Sequence, residues 1–271
     1  MSRRLRRIGI LVCLGVAAWF LSAALFPRIL APGDPFAISP ADAYQAPSLA
    51  HVFGTDESGR DIYTRIVHGA ADSLTIGIAA TAIGLVLGVL LATVSGVGGR
   101  IGDWVSTRIV ETLYAFPGIL LALLLLSLTG PGILPTTIAV GLSTAPGYAR
   151  LLRTQFLRVK ESAYIEADRV MGRGAWFRLT RTILPNAFQP LFALATLGIG
   201  QSVVWASALS YLGLGAPPPS PEWGAMLNAG ATYLSTGGWW MSVFPGSAIA
   251  LVAVTGTVLG RLYNAERRQA R

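Results

Sequence analysis

Apolar residues along this 271-residue chain gather in long runs separated by polar islands; they do not alternate with polar ones. Runs at 8–26, 73–97, 112–129, 188–211 and 242–262 come close to the roughly 20 residues a helix needs to cross a bilayer. A shorter run at 133–148, interrupted by Pro135, Pro146 and several hydroxyls, makes a sixth and weakest candidate. The pattern therefore predicts an all-α polytopic membrane protein with six transmembrane helices. The first run is longer than the roughly 7–15 apolar residues of a secretory signal, so it reads as an uncleaved anchor despite the small Ser22-Ala23-Ala24. In the second run Gly84, Gly88, Ala92 and Gly96 recur every fourth residue, a small face that lets another helix approach closely. Pro117, early in the third run, predicts a kink after Ala115-Phe116, and Arg108 stands three residues before Glu111 as an ion-pair partner. Pro245 falls in the first turn of the last run, where a missing N–H costs little.

The polar islands carry the more specific signals. Residues 28–72 contain prolines at 32, 35, 40 and 47 and read as an irregular loop followed by a short helix over 58–68. There Ile62, Ile66 and Gly69 share one side, and Asp61 and Arg65 form an i,i+4 pair. Residues 161–186 form an Arg-rich island with a helix over 163–171 that contains Glu166 and Asp168. Gly172 and Gly174 break it. A second amphipathic turn follows, with Trp176, Phe177, Leu179 and Ile183 apolar and Arg178 and Arg181 polar, and Pro185 closes the unit. Between the last two runs, Pro217, Pro218, Pro219 and Pro221 stiffen an extended strap, and Trp239 and Trp240 suit a membrane interface. In the fifth run Gln201, Ser202, Ser207 and Ser210 are polar at bilayer depth, where such groups face protein or water. Gln201, Ser202 and Trp205 are the candidate passage-wall residues, although helix–helix hydrogen bonding explains the same polar groups.

Composition agrees with the runs. Hydrophobic residues make up 53% and charged residues only 13%, about half the usual charged share of a soluble domain, and the mean hydropathy is +0.57. The net charge of +8 would raise nucleic acid as a partner, but its distribution removes the need. Four arginines precede the first run, Arg100 and Arg108 follow the second, eight basic residues lie between Arg150 and Arg181, and four lie from Arg261 onward. With alternating spans these fall on one side and only Arg28, Arg60 and Arg65 on the other, a positive-inside bias that puts both termini in the cytoplasm. The single lysine, Lys160, sits between Val159 and Glu161, so no phosphate-binding loop exists and the chain cannot be a P-loop ATPase. His51 and His68 have no helical metal spacing, no HExxH occurs, and the lone Cys13 lies in an apolar run with no disulfide partner.

Glu166-Ala167-Asp168, Gly172 and Leu184-Pro185-Asn186 resemble the coupling loop of ABC-importer permeases, whose pattern is Glu-Ala-Ala, three residues, Gly, then Leu-Pro. Asp168 departs from it by replacing the third alanine. Glu111 with Phe116 to Ala122 is similar to the family's acidic residue and Phe-Pro-x-Leu-Leu-Leu-Ala run. The segment Phe53 to Asp61 and the string from Leu209 to Leu227 resemble the second, C-type permeases of the dipeptide/oligopeptide/nickel class. The resemblance implies a type I ABC importer permease fold: a five-helix core of spans two to six, with the first span wrapped outside. The implied organisation is an anchor at 1–27, a periplasmic segment at 28–72, a core at 73–265 and a basic tail at 266–271. Within the core lie the cytoplasmic coupling loop, 150–187, and the periplasmic proline-rich loop, 212–241.

It implies further that Ala163, Tyr164, Glu166, Ala167, Asp168, Met171, Gly172, Trp176, Leu184 and Pro185 meet an ATPase. Asp56, Gly59, Arg60, Asp61, Pro218, Pro221, Glu222 and Trp223 then form the outer-loop or partner-contact set. The implied partners are a homologous B-type permease, one or two ABC ATPase subunits and an extracytoplasmic binding protein, and the implied location of this chain is the bacterial inner membrane. This chain itself holds no cofactor or metal and is not an enzyme; ATP and Mg belong to the ATPase subunits. Peptides are the expected cargo, with nickel or another small solute as the alternative. The rival class, an autonomous secondary transporter, is disfavoured because no ionisable residue lies in the middle of a run. An intramembrane enzyme is more distant, since no catalytic pair appears.

Overall fold

A computed structural model describes residues 3–269, with side chains described for residues 8–262. Arg271 of the basic tail lies outside the described residues, as do the side chains of Arg3, Arg4, Arg6, Arg7, Arg267 and Arg268. The described chain is helical, with one isolated β-bridge between Thr55 and Asp61. Its main helices are α1 (Arg3–Leu25), α2 (Ile62–Val97), α3 (Gly99–Tyr114), α4 (Gly118–Thr129), α5 (Ile133–Lys160), α6 (Ala163–Val170), α7 (Leu191–Tyr211), α8 (Trp223–Ala231) and α9 (Trp240–Gln269).

The axis of the bundle is α2. Its 36 residues span roughly 54 Å, well beyond the hydrocarbon thickness. The separate helix expected over 58–68 does not exist, because Asp61 caps α2 at Ile62 and the helix continues without interruption. The Asp61 carboxylate accepts from the Thr64 N–H and hydroxyl, both at 3.0 Å, so it is engaged as an N-cap and is not the side-chain partner expected for Arg65.

Among the described residues, four helices are long and apolar enough to cross a membrane, at 8–25, 62–97, 191–211 and 240–262. A fifth span arises if α3 and α4 count as one broken element, bent by 87°. The expected kink is therefore a sharp elbow. Pro117 has no N–H to continue the ladder and is extended at φ −54°, ψ 129°, so one helix stops at Tyr114 and another starts at Gly118. Alone, the 12-residue α4 is roughly 18 Å long, too short to span. The sixth run is embedded in α5, whose 28 residues carry through Pro146 to Lys160, so residues 150–160 of the expected loop are helical.

The most extensive helix pairing is α2 with α5. The small face of α2 is what permits it. A Cβ on Gly84 would lie 2.5 Å from Thr144 Oγ1, on Gly88 2.6 Å from Tyr148 Cβ, and on Gly96 2.2 Å from Phe156 Cε1. Each is closer than real Cβ contacts allow, so the two backbones approach only because these side chains are absent. Helices α7 and α9 pack on each other, α7 also lies against α2 and touches α5, and α1 lies against α2 and α9. Thr81 donates to Ser202 Oγ at 3.0 Å across α2 and α7.

Gly88→Val should force α2 and α5 apart and destabilise the fold by about 1–3 kcal/mol, an overpacking cost. The measurement is the thermal midpoint of the purified, detergent-solubilised protein. Gly9→Ala, where a Cβ meets nothing within 4 Å, should leave that midpoint unchanged.

Candidate functional site

Three groups of predicted residues fall at three places along the α2–α5 axis. At the arginine-rich end, α5 turns at Glu161 and Ser162 into α6, and Gly172, at φ +70°, reverses the chain. A positive φ is open to glycine but costly for a side chain with a β-branch. The chain then re-enters helix as three abutting pieces, Ala175–Phe177, a π-helical turn over Arg178–Ile183, and Leu184–Ala187 with Pro185 in its first turn. Ile165 on α6 is fully buried against Phe156, Val159, Ile183 and Ala187, which fixes the loop to the end of α5.

Asp168, the departure from the family pattern, is 4% exposed and works as a clamp. Its carboxylate accepts from Arg173 Nη1 at 2.8 Å and from the Thr182 hydroxyl at 2.9 Å, tying α6 to the π-helical turn across Gly172. Such charge-assisted bonds contribute about 1.5–3 kcal/mol each. Ile165 and Asp168, three residues apart, face inward. Ala163, Tyr164, Glu166, Ala167, Met171, Gly172, Trp176 and Pro185 are exposed, and Leu184 is half-buried. Trp176 is 75% exposed and Val170 84%, so a rigid loop presents an uncovered apolar and acidic face. Beside it, Arg153 on α5 donates to both carboxylate oxygens of Asp103 at 2.9 Å and to Ser95 Oγ at 2.8 Å, joining α5 to α2 and α3. Ser95 also donates to Asp103.

Midway along the axis a cavity of about 390 Å³ opens between the α3–α4 elbow, α5 and α7. Gln201, Trp205, Tyr114, Phe116, Ser143 and Arg150 contribute to its wall. Trp205 rests on Gly118, where a Cβ would lie 2.5 Å from the indole. Of the three passage-wall candidates, Gln201 and Trp205 line this cavity, while Ser202 turns away, fully buried against Thr81.

At the other end the segment before α2 and the proline-rich strap form one buried knot. Asp56 accepts from Arg60 Nε at 2.7 Å and from the Ser58 and Arg60 N–H groups. Gly59 and Arg60 are buried with it. Arg65, expected to pair with Asp61, donates instead to the carbonyls of Pro35, Pro219 and Ser220 at 3.1–3.2 Å. Pro218 is exposed and Pro221 buried. The strap lies across α2 at Gly69, where a Cβ would sit 1.9 Å from the Pro221 carbonyl oxygen. Glu222 caps α8, accepting from the N–H groups of Gly224 and Ala225 at 2.9 Å and from Ser73 Oγ at 3.3 Å. Burial pushes its carboxyl above the usual range against those donors. Trp223 is fully buried, its Nε1 donating to Ile66 O at 3.0 Å.

Sequence reading missed Arg65 and Ser73 as strap contacts, although with Gly69 they recur every fourth residue along one face of α2. It missed Ile165, Arg173 and Thr182, for which only the tertiary neighbours carry the signal. Trp240, expected at a membrane interface, is 8% exposed and donates to Thr55 O at 3.0 Å; Trp239 beside it stays half-exposed.

The family described as binding-protein-dependent transport system inner membrane component matches residues 84–269. A dipeptide transport system permease protein of Alkalihalophilus pseudofirmus is 36% identical over 241 residues, covering 89% of this chain and 79% of the relative. A glutathione transport system permease protein of Escherichia coli O1:K1 is 40% identical over 238 residues, covering 88% and 78%. Among solved structures, an amino acid ABC transporter superposes with a TM-score of 0.59 at 19% identity, covering 76% of this chain and 95% of the other. An inward-facing methionine ABC transporter gives 0.52 at 22% identity, covering 72% and 94%. These last two likenesses are of fold.

Asp168→Ala removes the acceptor of both loop-crossing bonds. Amide hydrogen exchange over residues 163–187 should then rise by roughly tenfold or more, in line with a lost charge-assisted bond. Exchange in α2 should stay as it is; equal loosening of both would show that the clamp is not local.

Proposed function

The chain belongs to the family of binding-protein-dependent transport system inner membrane components, and from that premise we propose that it is the second, C-type permease subunit of a peptide importer. It is a multi-pass inner-membrane permease and not an ATPase, and it works within an ABC transporter complex with ATPase subunits. Peptide cargo is supported by relatives at 34–40% identity named for dipeptide, di/tripeptide, D,D-dipeptide and glutathione transport. In this reading α5 with the α3–α4 elbow completes six spans, both termini are cytoplasmic, and residues 150–187 and 212–241 are the cytoplasmic and periplasmic loops. A homologous permease faces the cavity, one or two ATPase subunits bind ATP and Mg, and an extracytoplasmic protein delivers the peptide at the strap end.

The observation that carries the mechanism is the rigid, uncovered face of the coupling loop. A chain without a phosphate-binding loop receives its energy mechanically, and a stiff helix seated in a partner's groove transmits movement without absorbing it. Ile165 and the Asp168 clamp supply the stiffness, while Tyr164, Glu166, Ala167, Met171, Trp176 and Pro185 supply the contact. Movement of the ATPase then acts on α5 directly, because the loop is packed on its end, and α5 carries Ser143, Tyr148 and Arg150 in the cavity wall. ATP binding shifts the permease between inward- and outward-open states by as much as the docking contacts differ between them.

Gly172→Val, strained at φ +70° by about 1–3 kcal/mol, and Glu166→Lys, which reverses a charge on the docking face, should both uncouple transport. The measurement is ATP-dependent dipeptide uptake by proteoliposomes holding the whole complex, alongside membrane insertion and co-purification of the ATPase. Uptake should fall while insertion stays intact; normal uptake in both variants would remove the coupling assignment.

A further inference from the structure

We propose that Arg150 is the anion-reading group of the passage cavity and takes the free carboxylate of the transported peptide, an assignment that rests on the peptide-importer reading. Arg150 stands two residues past the apolar run of α5, at the wall of the 390 Å³ cavity. It is the cavity's only charged lining residue; the others are apolar, aromatic, hydroxyl or amide, and none is Asp or Glu. The volume lies within the range of small-solute sites, roughly 300–1,000 Å³.

The two arginines in this part of α5, Arg150 and Arg153, differ in what holds them. Arg153 is neutralised by Asp103 through two carboxylate bonds and a third bond to Ser95. Arg150 has no ion pair among the described residues, and its described side-chain contact is the ring of Tyr114, 5.1 Å from guanidinium carbon to centroid. Stacking on an aromatic face orients a guanidinium but leaves its in-plane N–H donors unused. Those donors form the fork that matches a carboxylate in bidentate geometry. A second cavity of about 180 Å³ shares Tyr114 and Arg150 as lining residues, and its one acidic lining residue is Glu111. Glu111 accepts from Arg108 at 3.0 Å. A positioned cation facing a cavity that holds no fixed anion is complementary to an anionic group of the solute. Trp205, Tyr114 and Gln201 then meet the rest of the solute, whose α-ammonium suits an aromatic face.

A lipid headgroup phosphate would satisfy the same donors, so the test separates the two sources. The whole complex, with its binding protein and ATPase subunits, is reconstituted into proteoliposomes, and uptake of radiolabelled dialanine is compared with that of its C-terminal amide. The binding protein is common to all arms, so a change in the carboxylate-to-amide ratio between variants belongs to the permease. Arg150→Gln should lower dialanine uptake by roughly tenfold or more and leave amide uptake unchanged, as expected for a lost charge-assisted bond. Arg150→Lys should retain most of the preference. Equal loss for both peptides, or no loss for either, would overturn the assignment and leave the peptide reading intact. Uptake of neither peptide by the wild-type complex would overturn both. If exchanging anionic for zwitterionic lipid reproduces the loss in the wild-type complex, the headgroup is the ligand and the assignment falls.

Discussion

The close approach of α2 and α5 is the constraint on which the other parts of the molecule depend. It exists because four positions on α2, Gly84, Gly88, Ala92 and Gly96, carry at most a methyl group where Thr144, Tyr148 and Phe156 press in. In a bilayer, lipid tails are as apolar as the side chains they contact, so helices associate through packing and hydrogen bonds more than through water exclusion. A backbone-to-backbone contact along much of α2 therefore supplies what a hydrophobic core supplies in a soluble domain. It also makes one rigid strut out of the two helices that connect everything else.

Each end of the strut is closed by polar chemistry of a different kind. At the strap end, Arg65, Gly69 and Ser73 lie on one face of α2 and receive the proline-rich chain through its carbonyls and through Trp223. The prolines leave that chain few conformations to lose, and a chain that donates few N–H groups is suited to being held by its carbonyls. At the arginine-rich end, Arg153, Asp103 and Ser95 join α5 to α2 and α3, and Asp168 closes the loop over residues 163–187 onto itself. Between the ends, the Pro117 elbow tips α3 away from α4 by 87° and opens the cavity against α5 and α7. Loop, strut and cavity wall are thus parts of one continuously packed body.

Asp168 shows how a departure from a pattern is absorbed. A carboxylate at a buried position is costly unless it is paired, and here the pairing also serves the loop. Arg173 and Thr182 come from the far side of the Gly172 turn, so the burial that would penalise the substitution becomes a stitch across the reversal.

Much of this was legible from the chain. Run length identifies the four long apolar helices, because hydrocarbon thickness and backbone hydrogen bonding leave few alternatives. The glycine face of α2, the break at Gly172 and the kink at Pro117 are local consequences of missing side chains or a missing N–H, so they too can be read position by position. What the chain could not show is which of two competing partners a side chain takes. Asp61 and Arg65 look like an i,i+4 pair, yet the helix N-terminus claims the carboxylate and the strap's carbonyls claim the guanidinium. Ser202 and Gln201 are adjacent polar residues in one helix, and only the position of α2 decides that Ser202 is buried against Thr81 while Gln201 faces the cavity. Periodicity places a residue on a face, but the neighbour that meets that face comes from a distant part of the chain, and that choice belongs to the tertiary structure.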